Sequence, residues 1–195
     1  MWVTVRAGHV IDAAVGGRIE TGMPSSKRLF VLRHAKSSWD DPAVADHDRP
    51  LAARGWRAVN SLAQHVSTAG IEPALVLCSS SLRTRETLDA LGLGGEHVIE
   101  PDLYGASCEE VLERLHRVPE EVESVMLVGH NPTLQALVLR LAAPDDGTDG
   151  ASLAEVRRKF PTAALATLTF EDAWAELSPG SARLVAYKRP KSLGV

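Results

Sequence analysis

The chain has 195 residues, 45% of them apolar and 24% charged, with 21 Lys and Arg against 25 Asp and Glu for a net charge of −4. A chain of this size and composition can bury a core without disulfide or metal staples, and its mild acidity argues against a nucleic-acid partner. No apolar run approaches the roughly 20 residues of a membrane span.

The first 26 residues carry Gly8, Gly16, Gly17, Gly22 and Pro24 around one short apolar patch, Val10-Ile11, which Asp12 interrupts. We expect residues 1–26 to form a flexible N-terminal extension without a signal peptide. The alternative is an edge hairpin from Trp2–Val5 and Val10-Ile11, and Met23 is an alternative start. The patterned sequence begins at Lys27, and the domain is expected over 27–190, with a tail at 191–195.

From there the pattern alternates. Leu29–Leu32 is a short continuous apolar run, as in a strand buried on both faces. Leu51–Val66 places Leu51, Trp56, Val59, Leu62, Ala63 and Val66 on one side of a helix. A strand is expected at Ala74–Cys78, and a helix over Ser81–Leu91 that a serine can cap. A short strand at His97–Ile99 and a helix over Cys108–Arg117, stopped by Pro119, come next. A strand at Ser124–Val128 leads to a helix over Pro132–Ala142, with proline in its first turn. After a loop at Ala143–Gly150, strands are expected at Ala164–Phe170 and Ala182–Lys188. This order predicts a three-layer α/β/α sandwich with a largely parallel central sheet.

Two cysteines, Cys78 and Cys108, are too few for a disulfide framework and suit a reducing, cytoplasmic compartment. With no CxxC or HExxH spacing, neither a metal site nor a cofactor is expected.

In such folds reactive groups gather at the carboxyl ends of the strands. Three strand ends carry Arg33-His34-Ala35-Lys36-Ser37, Ser79-Ser80-Ser81-Leu82-Arg83, and Gly129-His130-Asn131-Pro132. Two imidazoles and two guanidiniums on one sheet edge suit phosphoryl transfer. Arginine forks match phosphate oxygens and keep their charge. A neutral histidine can attack phosphorus, and a second can donate to an oxygen of the transition state. The helix start at Ser80–Arg83 adds free N–H groups. No metal is required, because the cations are already present.

The run RHAKSSW after a strand, the stretch SSSLRTRET and the VGHNP segment resemble, in order and spacing, the motifs of the histidine phosphatase (phosphoglycerate-mutase-like) superfamily. The resemblance spans about Lys27–Lys188. Ala35-Lys36-Ser37, the Arg49-Pro50-Leu51…Gly55 segment and the short chain resemble its SixA-like phosphohistidine phosphatase branch. The resemblance implies a phosphoglycerate-mutase-like fold, with His34 as the phosphate-accepting nucleophile. Arg33 and Arg83 are then the phosphate clamp, Arg83 rather than Arg85 matching the motif, and His130 completes the pocket. Lys36 and Ser37 are candidates for the phosphate rim. Trp39 is placed either at the substrate mouth or on the core.

The sequence departs from the family pattern in places. Ala35 stands where RHG has glycine. Ala52 stands where Ser or Thr would cap the first helix, a loss of about 1 kcal/mol. No Glu aligns with the general acid that many members carry, and Asp102 is the candidate in that region. A site without an acid suits a phosphoramidate, whose imidazole leaves more readily than an alkoxide. No long cap-like insertion lies between Thr87 and Ser124, so an open pocket is expected.

The expectation is therefore a phosphatase working through a phosphohistidine on His34. Its substrate would be phosphohistidine in proteins or, as alternatives, sugar phosphates or phosphoglycerate. A poorly catalytic phosphoprotein-binding module is a further alternative. The partner is a phosphorylated protein or small phosphorylated metabolite, with no nucleic acid and no membrane, and the chain is taken as a monomer. A cysteine-dependent phosphatase needs Cys-x5-Arg, whereas Cys78 and Arg83 give Cys-x4-Arg, so Cys78 is read as a buried strand residue. Asp46-His47-Asp48 follows no buried strand and is set aside as an aspartate-nucleophile pair. No GxxxxGK loop is present.

Overall fold

Alternate residues of the first strand, β1 (Lys27–Arg33), face two separate cores. Leu29 and Val31 pack into one, Phe30 and Leu32 into the other. That is why the run reads as continuously apolar rather than alternating. The structure is a computed structural model that describes residues 26–144 and 147–194. The expectations for residues 1–25 lie outside the described residues.

The helices are α1 (Ala53–Thr68), α2 (Leu82–Leu91), α3 (Cys108–His116), α4 (Thr133–Leu141) and α5 (Gly150–Arg158). The remaining strands are β2 (Leu75–Ser79), β3 (Glu96–Glu100), β4 (Ser124–Gly129), β5 (Leu165–Phe170) and β6 (Arg183–Lys188). Helices α1 and α2 cover one face of the sheet through Val59, Leu62, Val66, Leu88 and Leu91. On the other face, α3, α4 and α5 bury Leu115, Leu137, Leu141 and Val156.

Among the described residues the sheet has six strands, in the order β3-β2-β4-β1-β5-β6. The expectation of a largely parallel sheet needs correction, because the sheet is mixed. β3, β2, β4 and β1 run parallel, whereas β5 lies antiparallel to β1 and β6 antiparallel to β5. A parallel return needs a long crossover, usually a helix. The chain from β5 to β6 holds only the short 3-10 turn Trp174–Glu176, so β6 runs back along β5.

Local differences have local causes. On α1 the buried face is Gly55, Ala58, Val59, Leu62 and Val66, and Trp56 is 39% exposed. Ala52 gives α1 no side-chain cap, as expected. Ser81 stands at the N-cap position of α2, but its hydroxyl meets Thr84 Oγ1 at 2.8 Å instead of capping a backbone N–H. Helix α5 was not expected. Asp149 caps it by accepting from the N–H groups of Ala151 and Ser152, and Leu153 and Val156 bury its inner face. The 3-10 turn Pro190–Leu193 brings Leu193 against the α1 side of the core.

The order β2-β4-β1 makes three parallel neighbours of the strands whose carboxyl ends carry the unusual residues. Segments distant in the chain therefore meet at one edge of the sheet.

Candidate active site

The loop after β1 is held from three sides. The His34 N–H donates to Gly129 O of β4 at 3.0 Å. Ala35 N–H donates to Thr87 Oγ1 of α2 at 3.0 Å. Ala163 N–H donates to the carbonyls of Arg33 and His34, both at 3.1 Å. Ala163 takes φ +58° to do so, a left-handed conformation that costs an alanine roughly 1–2 kcal/mol. Ala35 is fully buried, so its methyl group fills core where glycine would leave a void.

His34 and His130 lie with ring centroids 5.1 Å apart at 51°. His34 is 8% exposed, and its Nδ1 lies 2.7 Å from Ala35 O. That contact needs a proton on Nδ1 and leaves the Nε2 lone pair free in the neutral ring. Burial pushes the His34 pKa down to about 3; the Ala35 carbonyl opposes this, and His130, Arg83 and Arg33 add to it. His130 shares a 2.8 Å hydrogen bond between Nε2 and Ser79 Oγ of β2. Its pKa is lowered to about 4, first by burial and then by the charge of Arg83. Both rings are neutral at ordinary pH.

Two arginines act on both rings through their charge. Arg33 donates through one terminal nitrogen to Phe160 O at 2.8 Å, and its buried Nε has no hydrogen-bond partner among the described residues. Burial, and after it the charge of Arg83, depress the Arg33 pKa. Arg83, on the first turn of α2, is 7% exposed. It donates to the carbonyl and, at 2.9 Å, to Oδ2 of Asp46. Arg85 is exposed. The result is a cage of positive potential with unspent donors, the complement of a phosphoryl group.

The sequence reading set Asp46-His47-Asp48 aside and gave Tyr104 no role, yet Asp46 and Tyr104 both lie beside Arg83. Asp46 lies on the 3-10 turn Asp46–Asp48 and also accepts from the Tyr104 hydroxyl at 2.8 Å. The Tyr104 bond and the Arg83 charge hold its carboxyl below the usual carboxylate range. The Tyr104 ring meets His130 edge-on at 5.5 Å and His47 at 4.9 Å. His47 Nε2 lies 2.9 Å from Ser80 Oγ. Arg49 places its guanidinium 3.5 Å from the centre of the exposed Trp39 ring, so Trp39 lies outside the core. In the sequence, the run of acids before Arg49 was the one available signal.

Ser37 is buried and pairs in an isolated bridge with Leu51, whereas Lys36 is exposed and lines a second cavity. Asp102 is exposed on the 3-10 turn Pro101–Leu103, in a depression shared with Glu100, Arg114 and Arg117. A different cavity, of about 360 Å³, opens against His130 and Asn131. A larger one, of about 540 Å³ near Val66 and Leu91, has Glu72 as its one charged lining residue; size alone does not mark the site. Cys78 is fully buried, and burial pushes its thiol up to about 12. Among the described residues no group of three or more His, Cys, Asp or Glu is placed to hold a metal ion, and no helix is long and apolar enough to cross a membrane.

Comparison with known proteins bears on this geometry. The family model of the histidine phosphatase superfamily (branch 1) matches residues 29–105. An uncharacterised protein of Mycobacterium tuberculosis is 41% identical over 162 residues, covering 82% of this chain and 100% of its own. The phosphohistidine phosphatase SixA of Escherichia coli is 28% identical over 155 residues, 74% of this chain and 86% of its own. A solved structure provisionally named phosphohistidine phosphatase SixA, from Nakamurella multipartitia, superposes with a TM-score of 0.75 at 32% identity, covering 85% of this chain and 96% of that one. The match extends beyond the motifs to nearly the whole folded domain, and the chain belongs to the histidine phosphatase superfamily.

Proposed function

We propose that the protein is a metal-independent phosphatase that removes phosphate from phosphohistidine in proteins through a phosphohistidine on His34. The observation that carries the reading is the His34 ring. It is neutral, its Nδ1 is engaged by Ala35 O, and its Nε2 is left free beside His130 within the field of Arg33 and Arg83.

The Nε2 lone pair attacks phosphorus in line, the P–N bond of the substrate breaks, and the departing imidazole takes that electron pair and a proton from solvent. Water then attacks the new phosphohistidine, the P–Nε2 bond breaks, and phosphate and neutral His34 are restored. Arg33 and Arg83 balance the charge on the phosphoryl oxygens throughout. A dianion beside His130 raises its pKa above that of the free protein, which favours the ring as a proton donor to a phosphoryl oxygen. The leaving imidazole makes little demand on a placed acid, which accords with Asp102 lying in a neighbouring depression. The activity named for the E. coli relative supports this substrate class. Two unpaired cysteines accord with a reducing cytoplasm.

The test is rapid quenching of the purified protein with a labelled phosphohistidine peptide, followed by a panel of phosphotyrosine, phosphoglycerate and sugar phosphates with and without chelator. An acid-labile, base-stable phosphoprotein is expected from wild type and none from His34→Ala. Turnover retained by His34→Ala, or lost to chelator, overturns the scheme. Preference for a phosphomonoester transfers the reading to a small-molecule phosphatase, and binding without phosphate release transfers it to a phosphoprotein-binding module.

A further inference from the structure

Beside the cage lies a cavity of about 220 Å³ lined by five cations, Lys36, Arg54, Lys159, Arg189 and Lys191, and by no Asp or Glu. Arg189 is paired with Glu155 at 2.5 Å. The other four have no carboxylate at ion-pair distance among the described residues. Four unpaired positive charges on one cavity of a chain with net charge −4 repel one another, a cost to the folded state that an anionic ligand relieves.

The cavity adjoins the cage through two short stretches of chain. Lys36 follows His34 by two residues, at most about 7 Å along an extended backbone. Lys159 immediately precedes Phe160, whose carbonyl holds Arg33. The first turn of α1, which carries Arg54, packs on the backbone of Lys36: Ala52 N–H donates to Lys36 O at 2.9 Å. A polypeptide with its phosphorylated side chain in the cage therefore has neighbouring residues within reach of the cavity.

We propose that this cavity binds carboxylate side chains flanking the phosphorylated residue of the substrate protein, and so selects acidic phosphoproteins. Three of the four unpaired cations are lysines on flexible stems, exposed at a surface. Such groups act as point charges toward a diffuse acidic surface, whereas recognition of a second phosphate calls for converging arginine forks. The inference rests on the reading of the site as a phosphoprotein phosphatase.

Two phosphohistidine peptides, one with Glu and Asp flanks and one with Gln and Asn flanks, separate the two readings. Wild type should favour the acidic peptide in kcat/KM by about tenfold at low salt, and the preference should fall as salt rises. Arg54→Glu/Lys159→Glu, both exposed positions outside the cage, should erase the preference and leave the neutral peptide within about twofold. Equal rates for both peptides with wild type overturn the proposal. The same acidic peptide, unphosphorylated and fluorescently labelled, should bind wild type and not the double variant. Binding of that kind without hydrolysis of either phosphopeptide removes the phosphohistidine reading and keeps the acidic site. Neither binding nor hydrolysis removes both.

Discussion

Asp46 grips Arg83 at two points, its carbonyl meeting one terminal nitrogen and its Oδ2 the other at 2.9 Å. The pair joins a loop before α1 to the first turn of α2, and Tyr104 closes it from a third segment through the same Oδ2. Arg83 is thus oriented by a carboxylate that is itself half exposed. A charged hydrogen bond of this type is worth roughly 1.5–3 kcal/mol, with the lower figure apt at a solvated site.

Asp46→Asn should therefore lower kcat/KM by roughly tenfold, because Arg83 is no longer held toward the phosphoryl group. Thermal stability should fall modestly, since Asn keeps one acceptor oxygen toward Arg83 but loses the charge. Tyr104→Phe should give a smaller loss in the same direction. Steady-state kinetics beside a melting curve check this; an unchanged kcat/KM for Asp46→Asn would remove its positioning role.

The low pKa values of the histidines carry a signed prediction. In the unfolded chain each ring binds a proton near pH 6.5, whereas in the fold His34 does so near 3 and His130 near 4. The unfolded state thus binds more protons between those limits, and stability falls as pH drops through that window. His34→Asn removes one penalty, so its Tm relative to wild type should rise steadily from pH 6.5 to pH 4. The ring proton shift of His34, followed by NMR, should stay flat from pH 8 to pH 5.

The buried thiol supplies a control on the choice of nucleophile. Cys78 is fully inaccessible and its pKa stands at about 12, so it is protonated and unreactive at neutral pH. Cys78→Ala should retain most of the turnover and lose about 1 kcal/mol of stability through the small void it leaves. Native protein should resist alkylation at Cys78 until it unfolds. Abolished turnover in a folded Cys78→Ala protein would revive a thiol mechanism.

The cage was legible because its parts are read locally: a buried strand, then Arg33-His34; a buried strand, then Ser79 and Arg83; a buried strand, then His130. Parallel strands deliver such ends to one edge whatever lies between them. The directions of β5 and β6 were not legible. Their apolar patterns locate strands, but orientation depends on how the intervening chain travels, and a 3-10 turn leaves no periodic signature. Helix α5 hid in a polar stretch, although Asp149, Leu153 and Val156 hold a cap and a spacing that disclose it. The contacts of Asp46, set aside as a nucleophile, and of Tyr104 were hidden for another reason. Each lies in irregular chain, where no periodicity indicates direction, and their roles exist only once Arg83 has been brought between them.

Gly55 ties the stability of α1 to the geometry of the loop that carries His34 and Lys36. A Cβ built at this position would lie 2.2 Å from Lys36 O and 3.1 Å from Lys36 C. The obstruction is backbone, which cannot rotate aside as a side chain can. Gly55→Ala must push either α1 outward or the loop carrying His34 and Lys36 inward. The first opens the packing of Ala58, Val59 and Leu62 against the sheet. The second disturbs the Nδ1 contact of His34 with Ala35 O. Overpacking of this kind costs roughly 1–3 kcal/mol, or about 3–9 °C in Tm for a domain of this size. The folded fraction of Gly55→Ala should also show reduced kcat, because the proposed nucleophile His34 moves relative to Arg83, which α2 holds in place. A variant as stable and active as wild type would show that the contact between α1 and the loop does not position His34.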